Sequence, residues 1–125
     1  MKRRHVLQLS LAGIVPAVAN QDSRPVKLGI IADPQYADLE TYKKRYYRNV
    51  LGKLEKAIAG LNKADLDAVV TLGDFIQEDI ASFQPVLERY KALKHPHLKV
   101  LGNRDFFVGE ENLDQVQKIL GMETT

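Results

Sequence analysis

Three short polar clusters are the residues of this chain whose types and spacing could perform chemistry: Asp33-Pro34-Gln35, Gly73-Asp74 and Gly102-Asn103-Arg104-Asp105. The carboxylates of Asp33 and Asp74 are hard ligands, and so are the amide oxygens of Gln35 and Asn103, which suits divalent cations. Two carboxylates brought together repel each other unless a cation lies between them. Such a set would serve metal-assisted phosphoryl chemistry, in which two ions hold the attacking and leaving oxygens.

Each cluster also has a purely structural interpretation, because aspartate, asparagine and glycine are ordinary turn residues. For any one cluster taken alone, the structural interpretation is favoured. For the three clusters together a functional site is favoured, because they follow three successive predicted strands. Gly73 and Gly102 would additionally let the backbone turn sharply and approach a ligand closely.

The elements that must position these clusters alternate between strand and helix. Short apolar runs predict buried strands at 26–32, 68–72 and 98–101. Apolar spacings of three and four predict helices at about 41–63, from a Ser82 cap to Leu93, and at 113–120 before Gly121. Helical crossovers return the chain to the same end of a sheet, so the strands should be parallel and their carboxyl ends should meet at one edge. The predicted fold class is α/β, a parallel β-α-β-α-β unit.

Composition limits the remaining function classes. The chain has 125 residues, a size for one small domain, and 27% charged residues, which is typical of a globular protein. A net charge of +2 is too small to indicate nucleic-acid binding. The absence of cysteine excludes disulfides, thiolate catalysis and thiolate metal ligands from this chain.

The first nineteen residues have the pattern of an export signal. Lys2, Arg3 and Arg4 precede an apolar run that ends in the small-residue exit Ala17-Val18-Ala19. The Arg3-Arg4 pair resembles a twin-arginine signal, although Lys2 replaces the usual Ser or Thr. We expect export to the bacterial periplasm or the exterior, with no stable membrane insertion once residues 1–19 are removed. A membrane anchor or a helix of the domain is the alternative.

The ordered motifs resemble those of the calcineurin-like metallophosphoesterases. That family has Asp-x-His, then Gly-Asp, then Gly-Asn-His-Asp/Glu, followed by later histidines. Gln35 in place of the first histidine, Tyr36-Ala37-Asp38 and Arg45-Tyr46-Tyr47-Arg48 are similar to its branch of manganese-dependent ADP-ribose/CDP-alcohol diphosphatases. The resemblance implies that residues 20–125 form the first, incomplete half of the family's αββα sandwich.

The resemblance also implies roles for the clusters. Asp33 and Gln35 would bind a first metal ion, Asp74 would bridge two ions, and Asn103 would bind the second ion and a phosphate oxygen. Asp105 would orient the group at position 104. The implied cofactor is a pair of divalent ions, manganese first, with iron, zinc or magnesium as alternatives. The implied reaction is hydrolysis of a phosphoester or a nucleotide-diphosphate small molecule.

Two departures from the family pattern predict weak or no activity for the chain as given. Arg104 stands where the family has a histidine, and guanidinium cannot donate and recover a proton near neutral pH. The family's later histidines have no counterpart before Thr125, so we expect a fragment whose missing C-terminal half is required. The alternatives are a degenerate, non-catalytic metal- or nucleotide-binding module and a doubly wound nucleotide-binding domain. The latter lacks a glycine-rich loop after the first strand.

Two further groups have a chemical and a plain interpretation. Arg45 and Arg48 could contact the phosphates of a substrate, whereas the plain interpretation has both solvated while Tyr47 packs inward. His95 and His97 have the spacing of metal ligands, but a solvated loop pair remote from the clusters is favoured.

Overall fold

The structure, a computed structural model, describes residues 24–122. The predicted signal at 1–19 lies outside these residues. Three parallel strands form one sheet in the order β1-β2-β3, with β1 at Leu28–Ala32, β2 at Ala68–Leu72 and β3 at His97–Val100. Leu28 is opposite Ala68, and Val69 is opposite His97. The predicted α/β class and parallel sheet are therefore confirmed.

Three α-helices accompany the sheet: α1 at Val50–Leu61, α2 at Phe83–Tyr90 and α3 at Leu113–Ile119. Single 3₁₀ turns precede each helix at Tyr47–Asn49, Ile80–Ser82 and Glu110–Asn112, and a fourth lies at Arg104–Phe106. In the part of the chain that the structure describes, no helix is both long and apolar enough to cross a membrane.

The first helix is shorter than its apolar spacing predicted. The segment 41–46 is not helical, because the chain reverses at Lys43, whose φ is +53°. The backbone N–H of Arg45 donates to the carbonyl of Tyr42 at 2.9 Å and closes that turn. A left-handed residue cannot continue a right-handed helix, so α1 begins only after Tyr47–Asn49.

Ser82 does not cap α2 with its side chain, contrary to the prediction. The cap lies three residues earlier, where the Asp79 side chain accepts the backbone N–H of Ala81 at 3.0 Å. The 3₁₀ turn Ile80–Ser82 runs directly into α2, so the first free N–H groups are upstream of Ser82.

The prediction that α3 ends just before Gly121 is confirmed. Gly121 has φ +65°, and Met122 N–H donates to the Gln117 carbonyl at 2.9 Å, a Schellman motif.

One face of the sheet carries the core. The α1 residues Leu54 and Ile58 and the α2 residues Phe83 and Val86 share one buried cluster with Phe75, which follows β2. Gly29 in β1 makes this packing possible, because a Cβ there would lie 2.8 Å from the Leu61 side chain. The other face has apolar side chains that no described element covers: Leu28, Ile30, Leu72, Leu98 and Val100, each between 46% and 60% exposed. Parallel sheets are normally buried on both faces, so this is the face on which a second layer of a sandwich would pack.

The two histidines are structural, and the prediction of a solvated loop pair is wrong. His95 Nε2 lies 3.0 Å from the Leu61 carbonyl. His97 is half-buried and stacks on Tyr90 with ring centroids 4.3 Å apart. The Thr71 hydroxyl oxygen lies 2.8 Å from the Tyr90 hydroxyl and 2.8 Å from His97 Nε2. His97 is therefore part of a hydrogen-bonded group with Thr71 and Tyr90.

We predict that His97 makes the fold sensitive to acid. Burial, aided by the charge of Lys99, lowers the pKa of His97 from 6.5 to about 4. The unfolded chain therefore takes up this proton first, and the stability is complete above pH 6.5 and is lost as the pH falls toward 4. Because the ring is only half-buried, we expect a loss of about 1–2 kcal/mol rather than the full value of the shift. Urea unfolding of wild type and His97→Gln at about pH 7 and about pH 4.5 measures it. An equal decrease in both proteins would contradict the prediction.

Candidate metal and phosphate site

The carboxyl ends of the strands bring the predicted clusters together. Asp33 and Gln35 follow β1, and Asp74 follows β2. The backbone N–H of Gln35 donates to the Asp74 carbonyl at 2.8 Å, which extends the β1–β2 pairing past the ends of the strands. The Gln35 side-chain Nε2 also donates to Asp74 Oδ2 at 3.2 Å. Residues 39 positions apart are thus joined at one edge of the sheet.

Four backbone positions at this edge are in the left-handed region, which is unfavourable for residues other than glycine. Asp33, Gln35 and Asp74 have φ values of +47°, +48° and +49°, and Gly73 has +70°. Each non-glycine residue in the left-handed region costs on the order of 1–3 kcal/mol, and such residues cluster at functional sites. Glycine, asparagine and aspartate tolerate this region best, so the positive φ is least expected at Gln35. Three strained polar residues at adjacent strand ends therefore favour a function.

We predict that the backbone conformation of Asp33 lowers the stability of the fold, while its carboxylate contributes to Mn²⁺ binding. Asp33→Gly should be about 1 kcal/mol more stable than Asp33→Ala, because only glycine relieves a φ of +47° without strain. Both variants remove the same carboxylate, so both should weaken Mn²⁺ binding equally. Thermal unfolding and Mn²⁺ titration of the two variants check this. Equal stability would show that the backbone of Asp33 is not strained.

Asp74 is held from the β3 side by two features. The backbone N–H of Arg104 donates to Asp74 Oδ1 at 2.9 Å. Gly102 packs so closely that a Cβ built on it would lie 2.1 Å from Asp74 Oδ1. Position 102 therefore has to be glycine for Asp74 to keep this orientation.

The Asp105 carboxylate binds backbone N–H groups. Its fully buried carboxylate accepts N–H groups from Phe75 at 2.7 Å, from Ile76 at 3.3 Å and from Gly102 at 2.9 Å. Burial raises the pKa of the Asp105 carboxyl, and these three N–H groups oppose the shift. The carboxylate thereby joins the ends of β2 and β3, while its role toward the group at position 104 stays a prediction.

The remaining predicted residues differ in their placement. Asn103 is exposed and lies in the chain between Gly102 and Arg104. The Arg104 guanidinium lies 5.0 Å from the centre of the Phe107 ring. Arg45 Nη1 donates to Gln35 Oε1 at 3.3 Å, which brings it to the predicted metal edge.

Arg48, which was predicted to bind substrate, is paired with carboxylates rather than with a residue of the metal edge. Its guanidinium forms ion pairs with Asp38 at 2.5 Å and Glu40 at 2.7 Å. These two carboxylates already neutralise its charge, and they raise the pKa of Arg48 further. Tyr47 is buried, as the plain interpretation of this segment predicted.

Two cavities adjoin this edge, and Arg45 lines both. The first has a volume of about 340 Å³ and is lined by Asp33, Pro34 and Gln35 together with the start of α1. The second, of about 500 Å³, is lined by Tyr42, Lys43, Arg45, Tyr47, Gln77 and Arg104. Sequence reasoning missed Gln77, because nothing in the run Phe75-Ile76-Gln77 distinguishes this residue from the rest of a strand end.

The residues at the edge fit a hard divalent cation in chemistry. Among residues 24–122 no group of three or more His, Asp or Glu side chains is arranged to hold a metal ion. The available donors are two carboxylates, from Asp33 and Asp74, and the amides of Gln35 and Asn103. Oxygen donors of this kind suit Mn²⁺ or Mg²⁺. Gln35 now presents its amide nitrogen to Asp74, so the amide must turn over before its oxygen can serve as a ligand.

Two curated proteins match this chain in sequence. The chain is 34% identical to the manganese-dependent ADP-ribose/CDP-alcohol diphosphatase of Mus musculus over 110 residues, which cover 75% of this chain and 32% of the mouse protein. It is 33% identical to the protein of that name from Homo sapiens over 106 residues, covering 73% of this chain and 31% of the human one. The chain thus spans about a third of the length of these relatives. No protein-family model matches it.

A solved structure gives the same result for the fold. A dimetal phosphatase from Danio rerio superposes with a TM-score of 0.62 at 26% identity, over 75% of this chain and 34% of that one. The resemblance to the calcineurin-like metallophosphoesterases, in their branch of manganese-dependent ADP-ribose/CDP-alcohol diphosphatases, is therefore confirmed by sequence and by fold over about three quarters of this chain.

Proposed function

We propose that this chain carries the metal-binding edge of a metal-dependent phosphoesterase that hydrolyses phosphoester or nucleoside diphosphate linkages. The observation that carries the proposal is the convergence of Asp33, Gln35 and Asp74 in strained backbone at one edge of the sheet. The names of the mouse and human relatives, which refer to manganese, ADP-ribose and CDP-alcohols, support it. We infer two ions, with manganese as the first choice.

Each residue of the edge has a proposed task. Asp33 and Gln35 would hold one ion, Asp74 would serve as a ligand to both ions, and Asn103 would hold the second ion and a phosphate oxygen. Bound divalent ions would polarise the phosphate and lower the pKa of a water molecule. Asp105 keeps the backbone under this edge in place through its three N–H bonds.

Arg104 supplies charge rather than a proton. Its guanidinium stays protonated and can stabilise negative charge on the phosphoryl group or leaving group. It cannot protonate the leaving group, a step that general acids accelerate by about 10²–10⁴-fold. We therefore expect Arg104→His to raise the rate at or below neutral pH, where imidazolium is present. Initial rates across pH measure this, and an Arg104→Gln variant that gains as much rate would contradict it.

The presence of Arg104 also favours a second candidate function. A chain that binds metal and nucleotide without turnover would need the charge of this residue but no proton donor. Mn²⁺ binding by the full chain, together with an absence of ADP-ribose hydrolysis, would support this non-catalytic binding module. Export through residues 1–19 is a separate proposal, which N-terminal sequencing of secreted protein would test.

Titration of the full chain with Mn²⁺ tests the proposed function. Asp74→Asn removes one charge from the residue placed between the ions, so we expect Mn²⁺ affinity to fall by at least about 10-fold. Asp114→Asn, on the exposed start of α3, is the matched control and should bind like wild type. Hydrolysis of ADP-ribose should require Mn²⁺ and be lost in Asp74→Asn. Equal Mn²⁺ binding by both variants would overturn the metal site.

A further inference from the structure

We propose that Arg45 is a positioning residue, which holds the oxygen of the Gln35 amide toward itself and away from Asp74. The three side chains form one series of hydrogen bonds, which we call the Arg45–Gln35–Asp74 network. Gln35 has to leave this network before its oxygen can serve as a metal ligand beside Asp74, so the network opposes metal binding. The inference rests on the proposed function, because it takes Gln35 as one of the ligands.

The orientation of the Gln35 amide follows from its two partners. Gln35 Nε2 donates to Asp74 Oδ2 at 3.2 Å, and Gln35 Oε1 accepts from Arg45 Nη1 at 3.3 Å. A carboxylate can only accept hydrogen bonds, and a guanidinium can only donate them. The reverse orientation would place two acceptors together at Asp74 and two donors together at Arg45, so both bonds would be lost. The partners therefore select the orientation in which the amide nitrogen faces Asp74.

The backbone of Gln35 is held independently of this network. Its N–H donates to the Asp74 carbonyl at 2.8 Å, and the next residue, Tyr36, pairs with Ile76. The amide itself can turn about its terminal bond, because that torsion has broad and nearly equivalent minima. The side-chain hydrogen bonds to Arg45 and Asp74, and not the backbone, therefore decide which atom of the amide faces Asp74.

Both oxygens of the Asp74 carboxylate are engaged by donors of this chain. Oδ2 accepts from the Gln35 amide, and Oδ1 accepts the backbone N–H of Arg104 at 2.9 Å. The amide lies between the positive charge of Arg45 and the negative charge of Asp74, and hydrogen bonds in such a series strengthen one another. Loss of the Arg45 donor should therefore also weaken the bond between Gln35 and Asp74, and the amide should turn more readily.

The turn at Lys43 brings Arg45 to this network. The backbone N–H of Arg45 donates to the Tyr42 carbonyl at 2.9 Å, and the N–H of Tyr42 donates to the Arg45 carbonyl at 3.2 Å. Within residues 24–122 Arg45 forms no ion pair with a carboxylate, whereas Arg48 pairs with two. The turn therefore presents to Gln35 a guanidinium whose charge no acidic side chain of the described residues has taken up.

Titration of the full chain with Mn²⁺ tests the network through a double-mutant cycle. Arg45→Met removes the donor and should raise Mn²⁺ affinity by about 3- to 10-fold, as expected for one hydrogen bond. Removal of a positive charge near the ion would raise the affinity as well, so a charge control is needed. Lys53→Met provides it, because Lys53 is exposed on α1 and lines the same cavity as Gln35 and Arg45. In a Gln35→Ala background, Arg45→Met should change the affinity no more than Lys53→Met does.

A second measurement follows the Gln35 amide directly, without added metal. In NMR spectra of the full chain, the side-chain amide signals of Gln35 are those that disappear in Gln35→Ala. They should shift in Arg45→Met and stay in place in Lys53→Met. A residue that only stabilised the fold would change the melting temperature and leave these signals where they are. Thermal melting verifies that each variant is folded, and Arg45→Gln replaces Arg45→Met should the latter not fold.

The outcomes separate this inference from the proposed function. A gain in Mn²⁺ affinity in Arg45→Met that exceeds the control and disappears in the Gln35→Ala background supports the network. A gain of equal size in both backgrounds overturns it, while Mn²⁺ binding that is lost in Asp74→Asn leaves the proposed function intact. A wild-type chain that binds no Mn²⁺ overturns the proposed function. In that case, Gln35 signals that shift in Arg45→Met support the positioning role, and signals that do not shift overturn it.

Discussion

The Gly102→Ala variant is expected to bind Mn²⁺ about 10- to 100-fold more weakly than the wild-type chain. A Cβ at position 102 would lie 2.1 Å from Asp74 Oδ1 and 2.4 Å from the Asp74 backbone nitrogen, well inside van der Waals contact. Either Asp74 or the segment after β3 has to move, and both belong to the proposed metal edge. Overpacking of this kind also costs about 1–3 kcal/mol of stability. Mn²⁺ titration and urea unfolding measure the two effects.

Gly60→Ala is the matched control for this substitution. Gly60 lies in α1, and a Cβ there would meet nothing within 4 Å. Alanine in a helix is favoured over glycine by about 0.5–1 kcal/mol, so this variant should gain stability and retain Mn²⁺ affinity. Unchanged Mn²⁺ binding by Gly102→Ala would show that Asp74 does not depend on the close approach of β3.

The Asp105→Ala variant is expected to lose about 3–5 kcal/mol of unfolding free energy. Its carboxylate is the acceptor for the backbone N–H groups of Phe75, Ile76 and Gly102. Alanine would leave those donors without a partner in the interior, which costs more than the loss of an ordinary hydrogen bond. Because a small domain has only about 5–15 kcal/mol in total, much of the chain could unfold. Urea unfolding at neutral pH measures the loss.

Two comparisons distinguish this effect from a general loss of charge. Asp114→Ala changes an exposed aspartate at the start of α3 and should cost no more than about 1 kcal/mol. Asp105→Asn retains one oxygen for Phe75 and Ile76 but turns an amide toward the Gly102 N–H, so it should be intermediate. A loss in Asp105→Ala no larger than in Asp114→Ala would contradict the proposed role of the carboxylate.

Much of the metal edge could be predicted from the sequence, because it depends on the order of strands and helices along the chain. Short apolar runs separated by helical spacings require parallel strands, and parallel strands end on one side. The meeting of Asp33, Gln35 and Asp74 follows from that topology alone, and the structure joins Gln35 to Asp74 directly.

Other features depended on contacts between segments that sequence cannot pair. The turn at Lys43 shortened the predicted first helix, since backbone reversal overrides apolar spacing. His97 in β3 and Tyr90 in α2 are stacked on each other, and this contact cannot be predicted from their residue types. Arg45 and Arg48 belong to the same short motif, and sequence alone does not distinguish their roles. Arg45 donates to Gln35, whereas the charge of Arg48 is paired with Asp38 and Glu40.

The fold class, the edge of the sheet that carries the polar clusters, and the kind of ion that their oxygens suit could all be predicted from the amino-acid sequence. These follow from periodicity and ligand chemistry, which are properties of single segments. The contacts of the folded chain were needed to show that Asp105 binds backbone N–H groups and that Gly102 limits the position of Asp74. They were also needed to show that Gln77 has a buried oxygen without a hydrogen-bond partner among residues 24–122. The reason is that hydrogen bonds and close packing act over a few ångströms, between residues about thirty or more positions apart in the chain.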